Sequence, residues 1–221
     1  MWIDRFVTRE VITIGPAESI VAARELMTTH HIRHLPVVDT ESRLMGIISD
    51  RDIRSARSSR GDDAQPQPGA APMVGEVMTT HPLAISPGFT LQDVLLQFYT
   101  NKVGAFPVTD DDGRVTGILS DRDLLNCFIQ VLGLGTPGCF IGLDLDPDDG
   151  KVKTVVDALA AGGFPIASML VVRDWRPEKW AMFLYVLSQN RTEVRHRLSE
   201  AGFSMIEPLA WMLTPFERHT A

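Results

Sequence analysis

Gly46-Ile47-Ile48-Ser49-Asp50-Arg51-Asp52 returns 71 residues later as Gly117-Ile118-Leu119-Ser120-Asp121-Arg122-Asp123. The match extends well beyond this element. At the same offset Pro16 falls on Pro87, Pro36-Val37 on Pro107-Val108, Asp39 on Asp110 and Arg43 on Arg114. Over residues 11–53 the two stretches share 13 of 43 positions without a gap. Several other pairs exchange one apolar side chain for another, such as Ile12 for Leu83 and Leu35 for Phe106. An ungapped repeat of this length marks two copies of one supersecondary unit.

Each copy reads as strand, helix, strand, strand, helix. In the first, residues 11–14 form a β-branched strand that stops at the breaker Gly15-Pro16. Glu18-Ser19 opens a helix with Ile20, Ala23, Leu26 and Met27 on its apolar face. Residues 35–38 and 44–48 are short apolar strands around a polar turn at 39–43. Ser49 stands at the N-cap of the next helix, and Asp50, Arg51 and Asp52 fill its first turn. The stretch 55–72 is rich in Ser, Ala, Pro, Gly and Gln without periodicity, which predicts a flexible linker. The expected organisation is a first repeat over 1–60, a linker over 61–72, a second repeat over 73–132 and a separate segment over 139–213.

A strand that runs into a helix through Ser-x-x-Asp gathers backbone N–H groups, a hydroxyl and a carboxylate at one helix start. Such an end attracts phosphate, and an Asp one turn in can accept hydrogen bonds from vicinal ribose hydroxyls. The groups concerned are Ser49 and Asp52, then Ser120 and Asp123. The glycine of each element permits close backbone approach. Plain N-capping explains one copy equally well. Two copies identical at six of seven positions favour ligand contact, since capping alone tolerates Thr, Asn and Asp.

These features together resemble the tandem CBS-domain pair, or Bateman module, over residues 1 to about 130. The resemblance rests on 11–14 with Pro16, on Leu35-Pro36-Val37-Val38-Asp39 and on the Gly46–Asp52 element. In the second copy it rests on 83–85 with Pro87, on Phe106-Pro107-Val108 and on the Gly117–Asp123 element, after Val77-Met78-Thr79. It implies a regulatory protein that binds an adenosine-containing ligand (AMP, ADP, ATP, or NAD or S-adenosylmethionine) in the cleft between repeats. Carried over, Asp52 and Asp123 hold ribose, and Ser49, Arg51, Ser120 and Arg122 lie near phosphate. Ile32, Arg33 and His34, with Val103, Gly104 and Ala105, match the adenine loops. In this family a site is often composite, one repeat's Asp element meeting the other repeat's loop. The Asp123 site then gains Arg33 and His34, the Asp52 site only Gly104 and Ala105, and the former is expected to bind phosphate-bearing ligand more tightly.

His30, His31 and His34 are read as surface or phosphate-facing imidazoles rather than a metal site, since no nearby Cys completes a ligand set. Asp121 and Asp123 are read as partners of the helix dipole, not a magnesium site. No Gly-x-Ser-x-Gly, His-Glu-x-x-His, Walker loop or Gly-x-Gly-x-x-Gly occurs, so no enzyme activity is expected.

Beyond a short break at 133–138 the rhythm changes. Residues 140–146 alternate as a strand, and Val152, Val155, Val156 and Leu159 mark one helix face. Strands at 166–172 and 180–187 flank a polar turn at 173–179, Val194, Leu198 and Ala201 mark a second helix, and 203–211 a last strand. The fold class is therefore α+β: two βαββα repeats followed by a βαββαβ, ferredoxin-like unit. This unit resembles an ACT domain, though Asp146-Pro147-Asp148-Asp149-Gly150 makes a longer and more acidic turn than that family's. A ligand-free dimerisation sheet is the competing reading. Trp175 and Trp180 flank the hairpin and suit either a partner surface or a small core. The CBS pair with an ACT-like unit resembles the acetoin-utilisation protein B family, which implies a homodimer that signals to a protein partner. The alternatives are a ligand-free scaffold and the regulatory subunit of an enzyme not visible in this chain.

Composition bounds these readings. The net charge of −7 lacks the basic footprint of a nucleic-acid binder. The longest apolar runs, such as 180–187, are far too short to cross a bilayer. Residues 1–10 hold four charges and no apolar core, so no secretory signal is expected. Two cysteines, Cys127 and Cys139, read as structural thiols in a reducing, cytoplasmic setting.

Overall fold

The computed structural model describes residues 1–58 and 71–206, which divide into two compact units at Asn126 and Cys127. The central part of the linker, 59–70, and the end of the expected last strand, 207–211, lie outside the described residues.

In the first unit, Ser19 accepts a hydrogen bond from Ala22 N and starts α1 (Ile20–Thr29), which buries Ile20, Ala23 and Met27. Then come β1 (His34–Val38), β2 (Leu44–Ser49) and α2 (Asp50–Ser58). A short turn of helix, α3 (Val74–Val77), and β3 (Thr79–Thr80) open the second copy, followed by α4 (Leu91–Asn101), β4 (Ala105–Thr109), β5 (Val115–Ser120) and α5 (Asp121–Val131). The hairpins β1–β2 and β4–β5 have the same antiparallel register, down to a bulge at Val37/Val38 and its counterpart at Val108/Thr109.

Two expectations change. The leading strand of each repeat shrinks to a single parallel bridge, Ile14 to Val37 and Ile85 to Val108. Pro16 and Pro87, two residues further on, cannot donate to a ladder, and no further residue of 11–14 or 83–85 pairs. Second, each repeat's core is completed by the segment that precedes the other repeat. Ile3 and Val7 are buried with Phe106, Val108 and Leu119 of the second repeat, whereas Val74 joins Leu35, Val37 and Ile48 of the first. Thr8 pairs with Ile118, and Thr79 with Ile47.

The two hairpin turns meet with the reciprocity of a pseudo-twofold axis. Leu44 N donates to Gly113 O and Val115 N to Ser42 O, both at 3.0 Å, each pair being the other shifted by one repeat. Gly113 reaches this turn at φ +77°, a conformation that suits glycine.

The second unit contains β6 (Cys139–Leu145), α6 (Asp149–Ala161), β7 (Ile166–Arg176), β8 (Lys179–Val186), α7 (Arg191–Glu200) and β9 (Ser204–Met205). Its antiparallel sheet has the order β7-β8-β6-β9, so the βαββαβ succession is the observed one. Alternation along β6 puts Ile141, Leu143 and Leu145 into a core with Val155, Leu159, Leu184, Val194 and Leu198. The turn after β7 is tighter than 173–179, because β7 continues to Arg176 and pairs it with Lys179. Trp180 packs on this core under Arg173, and Trp175 meets the ring of Phe183 edge-on at 5.2 Å. Cys127 and Cys139 are buried free thiols, and burial pushes both above the usual thiol range. No described helix is long and apolar enough to cross a membrane.

Candidate functional site

Each repeat carries a reciprocal box at the junction of its last strand and last helix. Ser49 donates from N (2.8 Å) and Oγ (2.7 Å) to Asp52 Oδ2, and Asp52 N donates back to Ser49 Oγ at 3.3 Å. The second copy repeats this within 0.1 Å: Ser120 N and Oγ lie 2.8 and 2.6 Å from Asp123 Oδ2, and Asp123 N lies 3.3 Å from Ser120 Oγ. The capping expected at these serines is therefore present. It engages one carboxylate oxygen, Oδ2, and no hydrogen bond among the described residues runs to either Oδ1. A half-buried carboxylate with one oxygen held and one open is a pre-oriented acceptor for hydroxyl donors.

The loops before β1 and β4 close these helix starts. Asp50 N donates to Arg33 O, and Asp121 N to Gly104 O, both at 3.0 Å. The loops also touch across the repeats, and here the copies part. The Arg33 guanidinium pairs with Asp121 at 3.2 Å, from Nη2 to Oδ1. The His34 ring lies so close to Gly104 that a Cβ there would stand 2.7 Å from Nε2. Burial holds the His34 imidazole below its ordinary range, with Arg33 adding to the effect and Asp121, Asp50 and Asp52 opposing it.

Not every residue singled out from sequence stands in such a position. Arg51 and Arg122 are exposed, and among the described residues no side-chain hydrogen bond or ion pair joins them to the Ser-Asp boxes. Ile32 is half-buried against the first repeat's core, Val103 is exposed, and Ala105 is buried in β4. The close approach at the glycines is made by chain rather than kept open for ligand. A Cβ on Gly46 would meet Thr79 O at 2.9 Å, and one on Gly117 would collide with Val7. No group of three or more His, Cys, Asp or Glu side chains among the described residues converges as a metal site. The link between Arg33 and Asp121 was not foreseen as a pair; its sequence signal is Arg against Gly at equivalent loop positions.

The CBS domain family model matches residues 3–59 and 74–129. The chain is 32% identical over 122 residues to inosine-5'-monophosphate dehydrogenase of Methanocaldococcus jannaschii, covering 55% of this chain but only 22% of that protein. It is 31% identical over 117 residues to the CBS domain-containing protein YhcV of Bacillus subtilis, covering 53% of this chain and 78% of that one. Among solved structures it resembles the CBS domain pair of protein MJ0100, in complex with 5'-methylthioadenosine and S-adenosyl-L-methionine (TM-score 0.52, 26% identity, 58% of this chain and 99% of that one). CBSX2 in complex with AMP gives a TM-score of 0.51 at 26% identity, covering 59% and 97%. An acetoin utilisation protein (AcuB) of Vibrio cholerae gives 0.54 at 27% identity, covering 61% and 96%.

Proposed function

The chain belongs to the CBS-domain family, and from that premise we propose that it is a non-catalytic regulatory protein binding an adenosine-containing ligand at the two Ser-x-x-Asp boxes. The observation that carries this is the cross-repeat contact of Arg33 with Asp121 beside a box whose Asp123 keeps one carboxylate oxygen open. A ribose accepted by Asp123 at this helix start has its phosphates next to the N–H groups of α5 and the Arg33 guanidinium. At the equivalent loop position near Asp52 stands Gly104, which has no side chain to offer. The first site therefore suits a phosphorylated ligand, with Ser120, Asp123, Arg33 and His34 as its contacts and Arg122 at its rim. The second, with Ser49, Asp52 and Arg51, binds the same class more weakly. CBS pairs of similar fold bind AMP, S-adenosyl-L-methionine and 5'-methylthioadenosine, which supports the class without choosing among its members.

Binding across both repeats changes their relative setting only by the ligand's differential affinity for the two arrangements. The βαββαβ unit, read as an ACT-like module in an acetoin-utilisation-B-like protein, passes that change to a homodimer contact or a protein partner. A thermal-shift panel of AMP, ADP, ATP, NAD and S-adenosylmethionine tests the reading. A ligand at a hundred times its Kd adds about 2.7 kcal/mol to stability. No shift with any member overturns it in favour of a ligand-free scaffold.

A further inference from the structure

The first repeat contains a cavity of about 510 Å³ between the end of α1, the loop before β1 and the start of α2. Neither Ser49 nor Asp52 lines it. Its apolar lining is Met27, Ile32 and Ile53, and Arg24, His31, Arg33 and Arg54 stand around it, with Asp50 as the one acid. Arg54 pairs with Asp50, and Arg33 with Asp121. Arg24 is exposed and makes no side-chain hydrogen bond or ion pair among the described residues. The volume is that of a small-molecule site, and the lining combines an apolar body with a net positive rim.

The second repeat serves as an internal control. One repeat further on, Arg24 becomes Leu95, Thr28 becomes Tyr99 and Arg54 becomes Leu125. Leu95 and Phe98 there pack against the second repeat's core. Tyr99 and Leu125, by contrast, are exposed, so of the three counterparts Leu95 alone packs inward. In the first copy two of the three positions, Arg24 and Arg54, carry guanidinium groups where the second has leucines.

We propose that this cavity is a second kind of ligand site, which takes a small organic anion with an apolar body, its charge held by Arg24 and Arg54. Guanidinium groups suit carboxylate, sulfonate or phosphate through paired N–H donors. The cavity shares the loop residues Ile32 and Arg33 with the nucleotide reading but neither Ser-Asp box, and its charge is assigned to Arg24 and Arg54, so either reading can fail alone. The probe is 8-anilinonaphthalene-1-sulfonate, which has both required halves, titrated by fluorescence into the full chain. Saturable enhancement is expected. Arg24→Glu should weaken it about fivefold, one exposed ion contact being replaced by a repulsion. Arg24→Lys should retain most of the affinity, and Tyr99→Ser on the second repeat should leave it unchanged. Identical titrations for parent and Arg24→Glu, or loss of the signal in Tyr99→Ser alone, would overturn the proposal.

Discussion

Arg33 and Asp121 lie 88 residues apart in sequence and 3.2 Å apart in space, joining the loop of one repeat to the helix start of the other. The same residue's carbonyl accepts from Asp50 N, so Arg33 touches the first turns of both α2 and α5. No reciprocal link exists, because its counterpart in the second repeat is Gly104. Both side chains are more than half exposed, so Arg33→Ala is expected to change stability by less than about 1 kcal/mol. It should nevertheless weaken AMP about tenfold, a charged hydrogen bond to phosphate being lost, and leave adenosine unaffected. Parallel titration of both ligands checks this, and an equal loss for both counts against it.

The Ser-Asp boxes also stabilise the fold. Ser49→Ala and Ser120→Ala each remove the hydroxyl that caps Asp52 N or Asp123 N. Each should cost about 1 kcal/mol in urea denaturation. If the serines served ligand alone, the apo protein's midpoint would not move.

Gly104→Ala places a methyl group against the His34 ring, 2.8 Å from Cε1. A destabilisation of about 1–3 kcal/mol is expected from such overpacking. Because one ring causes it, His34→Ala should relieve most of the penalty, and the double variant should be clearly non-additive. Additive losses would mean that Gly104 is needed for another reason.

His34 also predicts a pH dependence. Burial lowers its folded pKa below the ordinary imidazole value, so the unfolded chain takes up the proton first as pH falls. The contribution to stability is complete above about pH 6.5 and is lost as pH falls through the folded value. Asp121, Asp50 and Asp52 face the ring and soften the loss, while Arg33 adds to it. Melting temperatures between pH 7.5 and 5 should therefore fall more steeply for the parent than for His34→Gln. Equal slopes would contradict the assignment.

The 71-residue offset made the duplicated unit, its hairpins and both Ser-x-x-Asp boxes legible, since each depends on local pattern. Partners supplied from elsewhere in the chain were less visible. Gly46 looked like space for a ligand, yet Met78 and Thr79 occupy it, and Val7 and Thr8 do the same at Gly117. Periodicity gave residues 11–14 a strand's β-branched pattern but could not show that a single bridge at Ile14 was all the hairpin would accept. The order of the second unit was readable from alternation at Ile141, Leu143 and Leu145, whereas its chemistry was not, because a sheet's core fixes no ligand. The cavity beside Arg24 depends on how the end of α1 meets the start of α2, which the periodicity of either helix alone does not show.

The central claim is that the boxes are unequal ligand sites, and calorimetric titration of AMP into the parent, Asp52→Ala and Asp123→Ala tests it most directly. The account predicts binding by the parent, with the greater loss of affinity in Asp123→Ala, the site that Arg33 serves. Equal losses in the two variants, or no heat of binding with the parent, would contradict it.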